Sequence, residues 1–321
     1  MNLRMALLFC TALFLFQFAS AAVPASLVER LGFAEGTKVL LINADDCGLL
    51  HSENQATLQA LKAGLVGSAT IMTPCPWFPE MATLALAHPE LDFGIHLTFT
   101  AEWEGYRWGP VLGRSAVPSL VDAQGYFWPS VRTFHLKARP EEAEAEGIAQ
   151  IQRALDAGID VSHLDVHMHA LGLDPRFFEV FVRLARRFDL PVRFIPSSEE
   201  LREAQAEHLH KQGILFQDRV ILGADVAKGE PLADYWKRKL RTLRPGVTEL
   251  YLHVSADAPE LRAMTGDAPF RTGWRDRVEE FRIFTAMPEL KQILEEANVK
   301  LLRWKDLRNL QRQERGSATS K

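Results

Sequence analysis

Cysteine is scarce in this chain, with 3 among 321 residues. Cys10 sits in an apolar opening segment without lipobox surroundings, so no lipid attachment is read there. Cys47 and Cys75 then allow at most one disulfide; both follow apolar runs that could neighbour each other in a parallel sheet, and a pair of packed thiols is the simpler reading. Positive charge is not in excess either. Lys and Arg number 37 against 41 Asp and Glu, for a formal net charge of −4, and no basic stripe runs along the sequence. That excludes a protein built to grip a nucleic-acid backbone. Internal repeats, low-complexity blocks and a convincing linker are also missing, which leaves one domain.

Long apolar runs are absent except at the start. Arg4 precedes the apolar residues 5–18, and Ala19-Ser20-Ala21 supplies a small-residue pattern before Ala22. A membrane span needs roughly 20 apolar residues and this run is shorter. Residues 1–21 are therefore expected to be a cleavable signal peptide, giving a periplasmic or secreted protein with no membrane attachment afterwards. Residues 22–310 would form a single catalytic domain and residues 311–321 a disordered tail.

What the sequence does have is alternation. Hydrophobic residues make up 47% and charged residues 24% of the chain, the profile of a globular protein. Strand-like runs at 39–42, 69–72, 91–97, 161–169, 192–195, 220–222, 248–254 and 300–302 are separated by helix-like stretches at 52–63, 78–87, 140–157, 174–188, 198–210, 231–242, 276–284 and 288–297. The fold class this predicts is α/β: a parallel-stranded (β/α) barrel, closed or incomplete and distorted, of TIM-like type. Residues 100–134 break the pattern with Trp103, Tyr106, Trp108, Tyr126, Phe127 and Trp128 among Gly and Pro. Such a loop either offers aromatic faces to sugar rings, Trp103, Tyr106 and Trp108 being the candidates, or folds as a small hydrophobic cluster over the core.

Three places carry chemistry. The first apolar run ends in Asn43-Ala44-Asp45-Asp46, which is either a turn or a delivery of two carboxylates to a strand end. Residues 163–169, H-L-D-V-H-M-H, alternate strictly, so as a strand they would set His163, Asp165, His167 and His169 on one face. Burying four titratable groups together is costly unless a metal or a reaction needs them. His96 and His253 each stand at the end of a strand-like run. In an α/β barrel the C-terminal strand ends form the rim where active sites are built, so Asp45, Asp46, His96, His167 and His253 are expected to converge.

These segments resemble the YdjC-like (ChbG-type) carbohydrate deacetylases. Asn43 to Gly48 match the family's N-A-D-D-F-G, Gly94-Ile95-His96-Leu97 its G-x-H-L, His163 to His169 its H-x-D-x-H-x-H, and Thr248 to His253, more weakly, its T-E-x-x-x-H. The ordered set covers nearly all of the chain after the opening segment. The resemblance implies a hydrolase that removes N-acetyl groups from amino sugars or oligosaccharides, with Asp46, His96 and His167 binding one divalent metal ion and Asp45 as base. Two imidazoles and a carboxylate leave positions open for water and substrate. Zinc or magnesium heads the list of metals; this ligand set also suits manganese or cobalt, and magnesium ordinarily prefers oxygen. His253 is the candidate acid for the departing amine, against a purely structural role. His163, Asp165 and His169 are expected to orient the ligands from behind. Cys47 stands where the family has Phe, which could alter packing, add a thiolate to a zinc site, or permit the bridge to Cys75. Two other readings stay open: a barrel metallohydrolase for another amide or a phosphodiester, and a glycan-binding protein without catalysis. The oligomeric state is likewise open, a homodimer being one option.

Overall fold

The computed structural model describes residues 25–222, 226–227, 229–266 and 273–319. The expected signal peptide, residues 1–21, lies outside them. In chain order the elements are α1 (Leu27–Arg30), β1 (Lys38–Cys47), α2 (His51–Ala63), β2 (Ser68–Ile71), α3 (Phe78–Ala87), β3 (Phe93–Leu97), α4 (Val131–Lys137), α5 (Pro140–Asp156), β4 (Val161–Val166), α6 (Pro175–Phe188), α7 (Arg202–Lys211), β5 (Arg219–Ile221), α8 (Leu232–Arg241), β6 (Gly246–Leu252), α9 (Pro259–Thr265), α10 (Trp274–Ala286), α11 (Pro288–Glu296), β7 (Val299–Leu302) and α12 (Trp304–Thr319). No described helix is long and apolar enough to cross a membrane.

Among the described residues the named strands all pair in parallel, in the order β4-β3-β2-β1-β6-β5. β1 outlasts its neighbours: Lys38 to Leu41 also pair with β7, while Asn43 to Cys47 pair with β2. Its branched apolar residues bury both faces, as a central parallel strand requires. Leu40, Ile42 and Ala44 join the main core, whereas Val39 and Leu41 pack with Val247, Leu307 and Trp304 in a second, smaller cluster.

The sheet curls into an incomplete, distorted (β/α) barrel surrounded by helices. Between its two outer strands runs irregular backbone that carries a few ladder-like bonds. Arg193 N–H donates to Leu164 O and Leu164 N–H to Pro191 O, each at 3.0 Å, Val192 N–H donates to Leu215 O at 3.0 Å, and Asp218 N–H donates to Val247 O at 2.9 Å. The strand expected at 192–195 is reduced to a single bridge, Leu164 to Val192. Pro191 and Pro196 have no N–H to extend it, and the Gln217 side chain takes over both backbone groups of Phe194.

Two other expectations are corrected. The presumed tail from residue 311 continues as helix α12, anchored by the buried side chains of Trp304, Leu307, Arg308 and Gln311 and by the Arg30–Glu314 pair with α1, at 2.6 Å. The presumed strand 161–169 stops at Val166. His167–His169 form one 3-10 turn in which Met168 and His169 have φ of 51° and 57°, so period-two alternation holds only as far as the strand does.

Candidate active site

A cleft of about 250 Å³ opens at the C-terminal ends of the strands, and Asp45, Asp46, His96, His167 and His253 all line it. Neighbouring residues of a regular strand point to opposite faces, so Asp45 and Asp46 need a device to share one. That device is a break in register between Ala44 and Cys47, with Asp46 at φ 68°. Gly48 N–H is then fixed by Asn54 Oδ1 at 2.7 Å. The strain of the left-handed aspartate is the local cost of turning both carboxylates inward.

Asp46 Oδ1 lies 3.3 Å from His96 Nε2 and 3.4 Å from His167 Nδ1. It is buried and has no hydrogen-bond partner among the described residues. The outer nitrogen of each imidazole is already held: His96 Nδ1 meets Asp165 Oδ1 at 2.6 Å, and His167 Nε2 meets Glu102 at 3.0 Å. Asp165 also accepts from Thr70 Oγ1 at 2.9 Å. A carboxylate behind a histidine whose other nitrogen faces an unsatisfied oxygen is the pattern of ligating imidazoles. Asp46, His96 and His167 could therefore hold a metal ion. Asp45, His96 and Asp165 also approach one another closely enough, but Arg193 already occupies both of those acids.

Among the described residues, Asp45, Asp46, Asp165, Glu53, Glu102 and Glu249 are paired with Arg193, Arg277, His96 and His167. Burial lifts Glu53 to about 8 and Glu249 to about 7, against the pull of Arg277 and Arg193. Asp45 and Asp46 go the other way. Burial would raise both, but Arg193 holds Asp45, and Arg277 with His167 and His96 holds Asp46, below the usual carboxylate range. Burial also works against charge on His96, yet Asp165 and Asp46 raise it to about 10.

Other expected residues divide. His253 Nε2 lies 4.0 Å from Asp46 Oδ2, with its side chain partly open to the cleft. His169 lines the cleft, and burial together with Arg193 pushes it down to about 4. Asp165 stands directly behind His96. His163 does not reach the cleft; it lies deeper in the barrel, bonded through Nδ1 to Ser162 Oγ at 2.8 Å and stacked on Trp304 at 4.6 Å. Of the aromatic loop, only Trp103 lines the cleft. Trp108 is buried, its ring 6.2 Å from that of His167, and Tyr106 donates its hydroxyl to Leu49 O at 2.7 Å. Cys47 and Cys75 are free, buried thiols, and burial raises Cys47 far above the ordinary thiol value. No bridge joins them, and the side chains grouped closely enough to hold a metal ion do not include Cys47.

A profile of the YdjC-like protein family matches residues 39–296. The chain belongs to that family. Among its relatives, a carbohydrate deacetylase of Brevibacillus brevis is 30% identical over 273 residues, 84% of this chain and 99% of that protein. One of Thermus thermophilus is 31% identical over 299 residues, covering 88% and 98%. In structure the chain is similar to an Enterococcus faecalis protein described as a candidate cellobiose-phosphate cleavage protein, with a TM-score of 0.73, 29% identity, and 84% and 99% of the two chains covered.

Within this YdjC-like chain, residues outside the sequence motifs also shape the site. Arg193 donates to both oxygens of Asp45, at 2.7 and 2.8 Å, and Arg277 donates to Asp46 Oδ2 at 2.9 Å and to Glu53. Arg193 was legible as a charge inside an apolar run, P-V-R-F-I, where a buried arginine demands acids. Arg277 and Glu102, on a helix and in an irregular loop, carried no such signal.

Proposed function

We propose that this protein is a metal-dependent carbohydrate deacetylase that releases acetate from N-acetylated amino sugars or their oligosaccharides. The observation that carries the reading is the unpartnered, buried Asp46 Oδ1 facing two histidines that acids hold from behind, with a second, ionised aspartate beside it. Membership of the YdjC-like family and relatives named carbohydrate deacetylases support it.

We assign Asp46, His96 and His167 as the residues that hold one divalent cation. When bound, such an ion supplies Lewis-acid chemistry, polarising a carbonyl oxygen and making a nearby water more acidic. The remaining work falls to the chain. Asp45 Oδ1 accepts from Asn43 and Arg193, whereas Oδ2 accepts, among the described residues, from Arg193 alone and keeps a lone pair for the proton of the attacking water. Arg193 keeps that carboxylate ionised and oriented. His253 donates a proton to the departing amine. Trp103 and Tyr251 give the cleft aromatic walls against which a sugar ring can lie. Export through cleavage of residues 1–21 belongs to the same reading, with an envelope or extracellular glycan as the natural substrate.

Incubation with acetylated chito-oligosaccharides, with products analysed for acetate and free amine, tests the proposal. Acetate release supports it. Turnover of phosphodiesters alone, or glycan binding without hydrolysis, overturns it in favour of another metallohydrolase or a binding protein.

A further inference from the structure

Glu249 sits on the same face of β6 as Tyr251, two residues earlier, yet it does not line the cleft. It is fully buried, and its Oε1 accepts from Trp304 Nε1 at 3.0 Å and pairs with Arg193 Nη2 at 3.0 Å. Its Oε2 has no partner among the described residues. Trp304 opens α12 and closes the other end of the barrel, its backbone N–H bonded to Ser68 Oγ at 3.1 Å and its indole stacked on His163 with an interplanar angle of 7°.

The guanidinium between Glu249 and the cleft has no slack. Arg193 Nη2 serves Asp45 Oδ1 at 2.8 Å as well as Glu249, and Nη1 serves Asp45 Oδ2 at 2.7 Å as well as Asp165 Oδ2 at 2.9 Å. Each terminal nitrogen is thus hydrogen-bonded to Asp45 and in ion-pair contact with one further acid. Asp165 is fixed in turn by His96 and Thr70. Glu249 is fixed from below by the indole. Asp45 therefore cannot rotate without dragging a fork that is pinned on both flanks.

We propose that Glu249 is a positioning residue for Asp45, acting through Arg193 and itself held by the indole N–H of Trp304, so that α12 sets the orientation of a carboxylate at the opposite end of the barrel. The inference rests on Asp45 being the proton acceptor, and its test separates the two. Trp304→Phe keeps the ring stack and deletes the donor; Glu249→Gln keeps the shape and removes the charge. Each is expected to lower kcat for acetate release by about tenfold or more, because misorientation of a reacting group acts on kcat, while KM and bound metal stay near wild type. A raised KM with unchanged kcat overturns the proposal.

The second measurement needs no activity. Trp304 and Asp45 share no direct contact, so merely structural roles predict that the Tm losses of Trp304→Phe and Asp45→Asn add in the double variant. The relay predicts a double loss clearly smaller than the sum, and additive losses overturn it. Should Trp304→Phe fail to fold, Glu249→Gln replaces it in the same cycle. If the wild type releases no acetate, the proposed function fails while the thermal cycle still decides the relay.

Discussion

Replacing Gly94 by alanine should open the seam between the two strands that carry His96 and Asp165. A Cβ at this position would stand 2.4 Å from His163 Nδ1 and 2.7 Å from the backbone oxygen of His163. Ordinary contact begins at 3.4 Å, so β3 and β4 must part by about 0.7 Å, the difference between 3.4 and 2.7 Å. The imidazole cannot simply swing aside, because Trp304 covers its face and Ser162 holds its Nδ1. Parting of that size would stretch the 2.6 Å contact of His96 Nδ1 with Asp165 to about 3.3 Å, past the ordinary range of a hydrogen bond. Overpacking of this kind costs about 1–3 kcal/mol. For a chain of this size that corresponds to a Tm fall of roughly 2–6 °C. Losing the carboxylate behind a ligating histidine weakens metal binding by about 10–100-fold. Gly147→Ala is the control. There the new Cβ meets the end of the Leu184 side chain at 2.5 Å, which can move, and alanine favours the helix by about 0.8–1 kcal/mol, so stability should change little. Calorimetry and zinc titration read both effects, and a Gly94→Ala variant with wild-type Tm and zinc affinity would refute the reasoning.

Arg193→Met strands Asp45, Asp165 and Glu249 in the interior without their shared cation, so denaturant unfolding should show a loss of about 3–5 kcal/mol; a loss below about 1 kcal/mol would show that the three acids need no partner. Deleting residues 304–321 removes buried Trp304, Leu307 and Arg308 and should abolish cooperative thermal unfolding, whereas a folded, soluble truncation would show that α12 is dispensable. His253→Asn should lower kcat by about 10²–10⁴ with metal content unchanged, and full activity would remove His253 from proton transfer.

Much of the fold could be read because apolar runs and helical periodicity track parallel strands and their crossovers. β1, α3 and β6 fall within a few residues of their expected places. The rim residues could be read for the same reason: a strand end in a barrel has only one place to be. What stayed hidden depends on contacts distant in sequence. Strict alternation at 163–169 could not announce a turn after Val166, and the left-handed backbone at Met168 brings that side chain to the cleft instead of the opposite face. The segment from residue 311 looked too polar to pack, yet Gln311 is buried because it satisfies Leu215 and Asp189, continuing a helix in which Arg308 satisfies Asp160 and Val161. The pairing of Arg193 with Asp45 spans 148 positions. No local pattern encodes it.

The most direct test of the central claim is acetate release from an acetylated chito-oligosaccharide by wild-type protein stripped with a chelator and then resupplied with zinc, manganese, cobalt or magnesium, beside Asp46→Asn treated identically. Metal-dependent deacetylation predicts that stripping abolishes release, that at least one ion restores it at about one equivalent per chain, and that Asp46→Asn neither retains the ion nor recovers. Undiminished release by the stripped protein, or full recovery by Asp46→Asn, would contradict it.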